Sequence, residues 1–133
     1  GRGLSSASRI EKDGDYSVLT TRLSSYLNKN GLSGNLFIKI DIEGAECLVI
    51  EDLANCLALG NKAFLALHPP FWEDKFASHD LIVESLKEFC LFNARGETLE
   101  IKELSKMILS EEKYPSWGTS YGNLFEILVT TKD

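Results

Sequence analysis

The chain has 133 residues, of which 44% are hydrophobic and 26% charged, a balance typical of a globular domain with one hydrophobic core. Its formal net charge of −6 argues against binding to nucleic acid or to an anionic membrane surface. No apolar run approaches the roughly 20 residues of a membrane-spanning helix, so we expect no nucleic acid and no membrane among its partners.

Cysteine usage points to a reducing environment. Cys47, Cys56 and Cys90 form no CxxC pair and leave one cysteine over. A zinc site built on cysteine requires four closely spaced ligands, and this spacing does not supply them. We therefore expect three unpaired thiols packed among apolar side chains, and we expect the protein to be cytoplasmic.

The first half of the chain predicts one helix, one strand and a second helix. Residues 1–15 are small and polar, which favours a loop or weak strand. A short amphipathic helix follows, with Thr20-Thr21 as N-cap candidates and Asn30-Gly31 at its end. Residues 36–40 form an apolar run typical of a strand. Helical spacing of apolar residues then extends from Ala45 to a stop at Gly60.

The second half continues the alternation. Residues 63–67 are uniformly apolar, as in a strand buried on both faces, and His68-Pro69-Pro70 ends that strand because proline cannot continue a central ladder. Ser78 is the candidate cap of the next helix. The remaining predicted elements are a strand at 90–94, a short helix at 102–110 and a strand at 124–130. This order predicts an α/β fold with a mostly parallel sheet and right-handed helical crossovers.

Acidic residues and a histidine follow the two central strands. Asp41 and Glu43 come after the first strand, and His68 comes after the second. If these strands are parallel neighbours, about 4.8 Å apart, the three side chains face one crevice at the sheet edge where α/β proteins bind ligands. Asp41 and His68 are then candidates for accepting a proton from a substrate hydroxyl or for binding a divalent metal ion.

Each of these residues also has a structural interpretation. Asp41 is equally typical of a helix-capping acid, Glu43 is balanced between capping and binding, and His68 is typical of a hydrogen-bonded strand end. Glu46 is expected to face the positive end of the helix dipole. Gly44 indicates an unusual backbone angle or a close approach.

Aromatic residues flank the same edge. Phe71 and Trp72 follow the proline pair and are candidates for the wall of a substrate pocket, although a loop that packs its aromatic side chains onto the core would give the same pattern. The more distant aromatic residues, Phe76, Tyr114, Trp117 and Tyr121, leave the same two interpretations open. His79 is expected at the surface near a helix start.

Residues 37–46, with the sequence FIKIDIEGAE, resemble the hallmark motif of the FkbM family of S-adenosylmethionine-dependent methyltransferases. In that family a strand of the form hIK(I/V)D(I/V)EGAE is followed by a helix. Residues 18–23 resemble the family's upstream TTLD segment, but Ser24 stands in place of the acid. Residues 65–68 resemble the next strand, which often ends in Glu-x-His, with Ala66 in place of the glutamate.

The resemblance implies that residues 1–133 form a single domain. It would be the C-terminal portion of a Rossmann-like methyltransferase domain, containing strands four to seven of a seven-stranded sheet with an antiparallel last strand. The family binds its cofactor at a glycine-rich turn after the first strand, and this sequence contains no such turn. We therefore expect weak binding of S-adenosylmethionine by this chain alone and assign no cofactor-binding residues.

The implied reaction is methyl transfer to an oxygen on a small molecule or a sugar, by in-line displacement at the cofactor's methyl group. By resemblance, Asp41 and His68 would orient or deprotonate the acceptor hydroxyl. Glu43, Phe71 and Trp72 would line the substrate site.

Two other functions compete with methyl transfer. A half-domain without cofactor binding would serve as an interaction module, forming a homodimer through the sheet edge and apolar surfaces left by missing strands. A metal-dependent hydrolase built on Asp41, Glu43 and His68 would need more ligands than the sequence supplies, so we assign no metal ligands.

Overall fold

Helices and strands alternate along the chain, as predicted. The structure is a computed structural model that describes residues 17, 19–110 and 124–132. The helices are Leu23–Lys29 (α1), Glu46–Leu57 (α2), Lys75–Leu86 (α3) and Ile101–Leu109 (α4), with a 3₁₀ turn at Pro69–Phe71. The strands are Phe37–Ile40 (β1), Lys62–Leu67 (β2), Phe89–Asn93 (β3), Thr98–Leu99 (β4) and Phe125–Thr131 (β5). No helix among the described residues is long and apolar enough to cross a membrane.

The strands form one mixed sheet in the order β1-β2-β5-β3-β4. β1 and β2 are parallel, whereas β5 runs antiparallel to both β2 and β3, and β4 runs antiparallel to β3. The prediction of an antiparallel last strand is confirmed, but the prediction of a mostly parallel sheet is wrong. The physical reason is the position of β5. It lies between β2 and β3, which run in the same direction, and it pairs antiparallel with both.

The hydrophobic core lies between one face of this sheet and the helices. Leu65 and Ile127 from neighbouring strands, Leu53 from α2 and Leu86 from α3 have no exposed surface and belong to one cluster. Burying each such aliphatic side chain stabilises the fold by roughly 1.5–3 kcal/mol. The apolar sequence at residues 63–67 is explained by the position of β2 between β1 and β5, since the last three residues of β2 are all buried.

Two predicted helix starts were wrong. Arg22, not Thr20 or Thr21, is the N-cap residue of α1, and it makes no side-chain capping bond. Asp74, not Ser78, caps α3: its side chain accepts a hydrogen bond from the backbone N–H of Ala77 at 3.0 Å. The helix therefore begins four residues, or about one turn, earlier than the sequence pattern suggested, and Ser78 lies inside it.

A buried asparagine joins the amino-terminal ends of β1 and β2. Asn61 is completely buried. Its side-chain oxygen accepts a hydrogen bond from the N–H of Leu36 at 2.9 Å, and its amide donates to the carbonyl oxygens of Ser33 and Cys56 at 3.0 and 2.8 Å. This side chain thereby fixes the entry to β1 against the start of β2.

The three cysteines are free, as predicted. Cys56 is buried, whereas Cys47 and Cys90 are only partly buried. Burial raises the pKa of the Cys47 and Cys56 thiols, which keeps both in the less reactive protonated form.

Candidate functional site

The carboxyl ends of β1 and β2 bring three polar side chains together. The parallel register aligns Ile40 with Leu65, so the residues that follow both strands reach the same edge of the sheet. His68 Nε2 lies 3.4 Å from Asp41 Oδ1 and 3.8 Å from Glu43 Oε2. We call Asp41, Glu43 and His68 the rim cluster. The predicted convergence of these three side chains at one edge of the sheet is therefore present in the structure.

The turn between β1 and α2 has an unusual backbone. Glu43 has φ of 53° and Gly44 has φ of 104°, and an ordinary L-residue rarely adopts such angles. A Cβ atom added to Gly44 would lie 2.8 Å from the Cβ of Phe71, too close for two carbon atoms. Glycine is thus required both by the angle and by a close approach, and the approaching group is the 3₁₀ turn that follows β2.

Glu46 lies directly behind the rim cluster and is fully buried. Its Oε1 accepts hydrogen bonds from the backbone N–H of His68 at 2.6 Å and pairs with His68 Nδ1 at 3.0 Å. Its Oε2 accepts from the N–H of Gly44 at 2.5 Å. Glu46 is the first residue of α2, where the helix dipole favours an acid. Its main contacts, however, join the ends of the two strands.

Sequence reasoning missed this role of Glu46. An acid in the first helical turn is usually solvated, so its identity alone does not indicate burial. The feature that could have indicated its burial was its position directly after the short turn that follows β1, at the same edge of the sheet as the histidine that follows β2.

The electrostatics of the site favour an ionised pair between Glu46 and His68. Burial by itself would raise the pKa of Glu46, but the hydrogen bonds and positive charge of His68 bring it below the ordinary value. Burial by itself would lower the pKa of His68, but Glu46, with smaller contributions from Glu43 and Asp41, raises it. Each partner therefore stabilises the charged form of the other.

The two aromatic candidates differ in position. Phe71 is partly exposed, and its ring stacks on the His68 imidazole with centroids 5.9 Å apart and planes inclined by 10°. Trp72 is buried within the hydrophobic core, and its indole nitrogen lies 3.4 Å from Glu46 Oε1. Phe71 thus borders the rim cluster, whereas the burial of Trp72 favours the core interpretation over the pocket wall.

The other described candidates lie on α3. Phe76 is 73% exposed on α3. His79 is the fifth residue of α3, not a residue at its start, and it contacts Asp80 and Ser105. Its side chain is 14% exposed, so His79 lies at the surface but is partly covered where it contacts Ser105 of α4. Tyr114, Trp117 and Tyr121 lie outside the described residues.

No family model, curated protein or solved structure matches this chain. The chemistry of the site must therefore be derived from its own geometry.

The rim cluster combines one imidazole nitrogen with two carboxylates at the mouth of the β1–β2 crevice. The side chain of His68 is only 9% exposed, whereas those of Asp41 and Glu43 are 47% and 25% exposed. The buried imidazole is therefore held in place by Glu46, while the carboxylates of Asp41 and Glu43 are accessible to solvent. Such a site can orient a hydroxyl group, accept its proton or hold a cation.

Proposed function

We propose that this chain belongs to a methyltransferase of FkbM type that uses S-adenosylmethionine and methylates a hydroxyl group on a small molecule or sugar. The observation that carries the proposal is the convergence of Asp41 and His68 at the carboxyl ends of adjacent parallel strands, with Asp41 inside the segment that resembles the FkbM motif. In α/β proteins this edge is where ligands are bound. A Rossmann-like origin of the mixed sheet and a cytoplasmic location are parts of the same proposal.

The proposed work of the site is to position the acceptor hydroxyl. Glu46 holds His68 through Nδ1, which leaves Nε2 directed at the crevice. A hydroxyl between Nε2 and Asp41 would donate its hydrogen bond to either group. Neutral His68 would accept the proton as the oxygen becomes nucleophilic. The carboxylates that raise the pKa of His68 make its neutral form a stronger base but keep the ring protonated to a higher pH, so methyl transfer should increase as the pH rises through that pKa. Glu43 and Phe71 would border the acceptor.

The described residues do not fit the cofactor by themselves. The turn after β1 contains only one glycine, Gly44, and the turn after β2 is His68-Pro69-Pro70. Within the described ranges, neither turn has the repeated glycines that let a backbone approach a nucleotide closely. We therefore derive no step at the cofactor and assign these residues to the acceptor side of the reaction.

The first test is calorimetric titration of S-adenosylmethionine and S-adenosylhomocysteine into the folded protein. Saturable binding of both would support the proposal. A folded protein that binds neither at millimolar concentration would contradict methyl transfer by this chain.

The second test assigns the residues. We expect transfer of a labelled methyl group to a panel of sugar and small-molecule alcohols to fall by about 10²-fold in His68→Gln, a loss typical of a general base. Asp41→Asn should also slow transfer, and Asp41 is exposed enough for this variant to fold. Lys102→Gln, an exposed residue of α4, is the matched control and should keep full activity.

A non-catalytic interaction module is the second candidate, and the position of β1 favours it. β1 is the end strand of the described sheet, and Phe37 on it is 65% exposed. An edge strand with an exposed aromatic side chain is a template for pairing with another chain. A dimer in sedimentation equilibrium, dissociated by Phe37→Lys, together with no cofactor binding, would favour this candidate.

A further inference from the structure

The rim cluster has the donor set of a metal site. Asp41, Glu43 and His68 each present one ligand atom, and these atoms lie within 4.8 Å of one another. The separations of 3.4 and 3.8 Å from His68 Nε2 to the two carboxylates exceed the 2.7–3.2 Å typical of an N–H···O hydrogen bond. The buried imidazole therefore points into a gap between two acids.

Those separations are close to what an ion requires. Ligand atoms bound at about 2.0–2.2 Å lie roughly 3.0–3.4 Å from their neighbours around a metal centre. The carboxylates of Asp41 and Glu43 are partly exposed, so rotation of these side chains can close the remaining difference without disturbing the core.

Glu46 gives the imidazole the orientation of a metal ligand. Histidine ligands commonly donate their second ring N–H to a carboxylate, which fixes the tautomer and makes the coordinating nitrogen more basic. His68 Nδ1 lies 3.0 Å from Glu46 Oε1, and this carboxylate is fully buried. With Nδ1 so engaged, the neutral form of His68 carries its lone pair on Nε2, which faces Asp41 and Glu43.

The mixture of donors selects the kind of ion. Imidazole suits Zn²⁺ and similar transition metals, and carboxylates also bind Mn²⁺, whereas Mg²⁺ and Ca²⁺ prefer oxygen ligands alone. Three protein ligands at an exposed edge leave further positions for water or a substrate oxygen, as in catalytic zinc sites.

We propose that the rim cluster binds one divalent transition-metal ion, Zn²⁺ or Mn²⁺, through His68 Nε2 and one carboxylate oxygen each from Asp41 and Glu43. This binding rests on the geometry of the cluster alone. Only its use in methyl transfer rests on the proposed function: with the ion bound, Nε2 would serve as a ligand rather than as the base, and the ion itself would hold the acceptor hydroxyl and lower the pKa of its proton, which would then leave to solvent.

The experiment is calorimetric titration of ZnCl₂ and MnCl₂ into the whole chain after removal of metals with a chelator, without cofactor or acceptor. We expect one ion per chain and much weaker binding of MgCl₂. Asp41→Asn should weaken Zn²⁺ binding at least about tenfold, and Glu46→Gln, which loses the support behind the ligand, by about 10- to 100-fold. Glu51→Gln, an exposed acid on α2, should bind Zn²⁺ like the wild type.

The chain's two histidines provide an internal control. Substoichiometric Mn²⁺ should broaden the NMR signals of the His68 ring and leave those of His79 sharp. The proposal is overturned if the folded wild type binds no ion, if Asp41→Asn binds Zn²⁺ as tightly as Glu51→Gln does, or if His79 broadens first. Because no cofactor is present, failure here would not bear on methyl transfer, and failure of cofactor binding would not bear on the metal site.

Discussion

Replacing Glu46 with glutamine tests whether the buried carboxylate holds the two strand ends together. The substitution keeps the shape of the side chain but removes its charge and one of its two acceptor oxygens. In the wild type, one oxygen receives the N–H of Gly44 and the other serves His68. The glutamine NH₂ must therefore face a group that donates a hydrogen bond, whichever way the amide is turned.

The expected loss of stability follows from these contacts. A buried donor left without its acceptor costs about 1–3 kcal/mol. Breaking a buried ion pair by removing one partner costs about 3–5 kcal/mol, but His68 can release its proton and so reduce that cost. We expect Glu46→Gln to lower the free energy of unfolding by about 2–4 kcal/mol, within these two limits.

Urea unfolding followed by circular dichroism measures this difference in the metal-free protein. With a slope of about 1–3 kcal/mol per molar urea, the midpoint should fall by roughly 0.7–4 M. Glu51→Gln on the exposed side of the same helix should change stability by less than about 0.5 kcal/mol. Equal midpoints for the two variants would refute the account of Glu46 given above.

The same variant should change how stability depends on pH. The pKa of Glu46 is lowered from 4.5, so its contribution is present above that pH and lost as the pH falls through the lower, folded-state value. The pKa of His68 is raised from 6.5, so its contribution is present below that pH and lost as the pH rises through the higher, folded-state value. The metal-free wild type should gain most from the pair between pH 4.5 and 6.5, whereas Glu46→Gln should give a flatter profile.

Two further predictions concern the backbone around the site and the far end of the strands. Gly44→Ala should destabilise the protein by about 1–3 kcal/mol more than Gly60→Ala in thermal unfolding. Both glycines have positive φ, but only an alanine at position 44 would also overpack against Phe71. Similar losses of stability in the two variants would exclude the steric contact. Asn61→Ala should lower the free energy of unfolding in urea by about 2–4 kcal/mol, since it leaves three backbone groups without their partner. Asn55→Ala on the exposed surface of α2 is the control. Equal losses of stability in the two variants would contradict the role of Asn61.

Local sequence pattern predicted much of this fold because its signals were strong. The apolar run at residues 63–67 and the prolines after it marked β2 and its end almost to the residue. The acids after β1 and the histidine after β2 then predicted which side chains meet at the sheet edge. Parallel pairing of two successive strands is a common consequence of a helical crossover.

Other features depend on contacts between distant residues and left no local pattern. The insertion of β5 between β2 and β3 follows from how the whole chain packs, so periodicity could not predict the mixed sheet. The burial of Glu46 depends on the positive φ angles of Glu43 and Gly44, which turn the start of α2 toward His68. The earlier start of α3 depends on Asp74, whose capping role competed with an equally acceptable serine.

The asparagine that joins the entry of β1 to the start of β2 has a consequence for the opposite end of the sheet. Asp41 and His68 meet only because β1 and β2 lie in one register, and a slip of two residues would separate them by about 6.6 Å along the strands. Through its hydrogen bonds to the residues that precede β1, Asn61 fixes this register at the end of the strands farthest from the rim cluster. The distance between Asp41 and His68 therefore depends on a residue that does not contact either of them. A substitution of Asn61 can change the chemistry of the site while every residue of the rim cluster is unchanged.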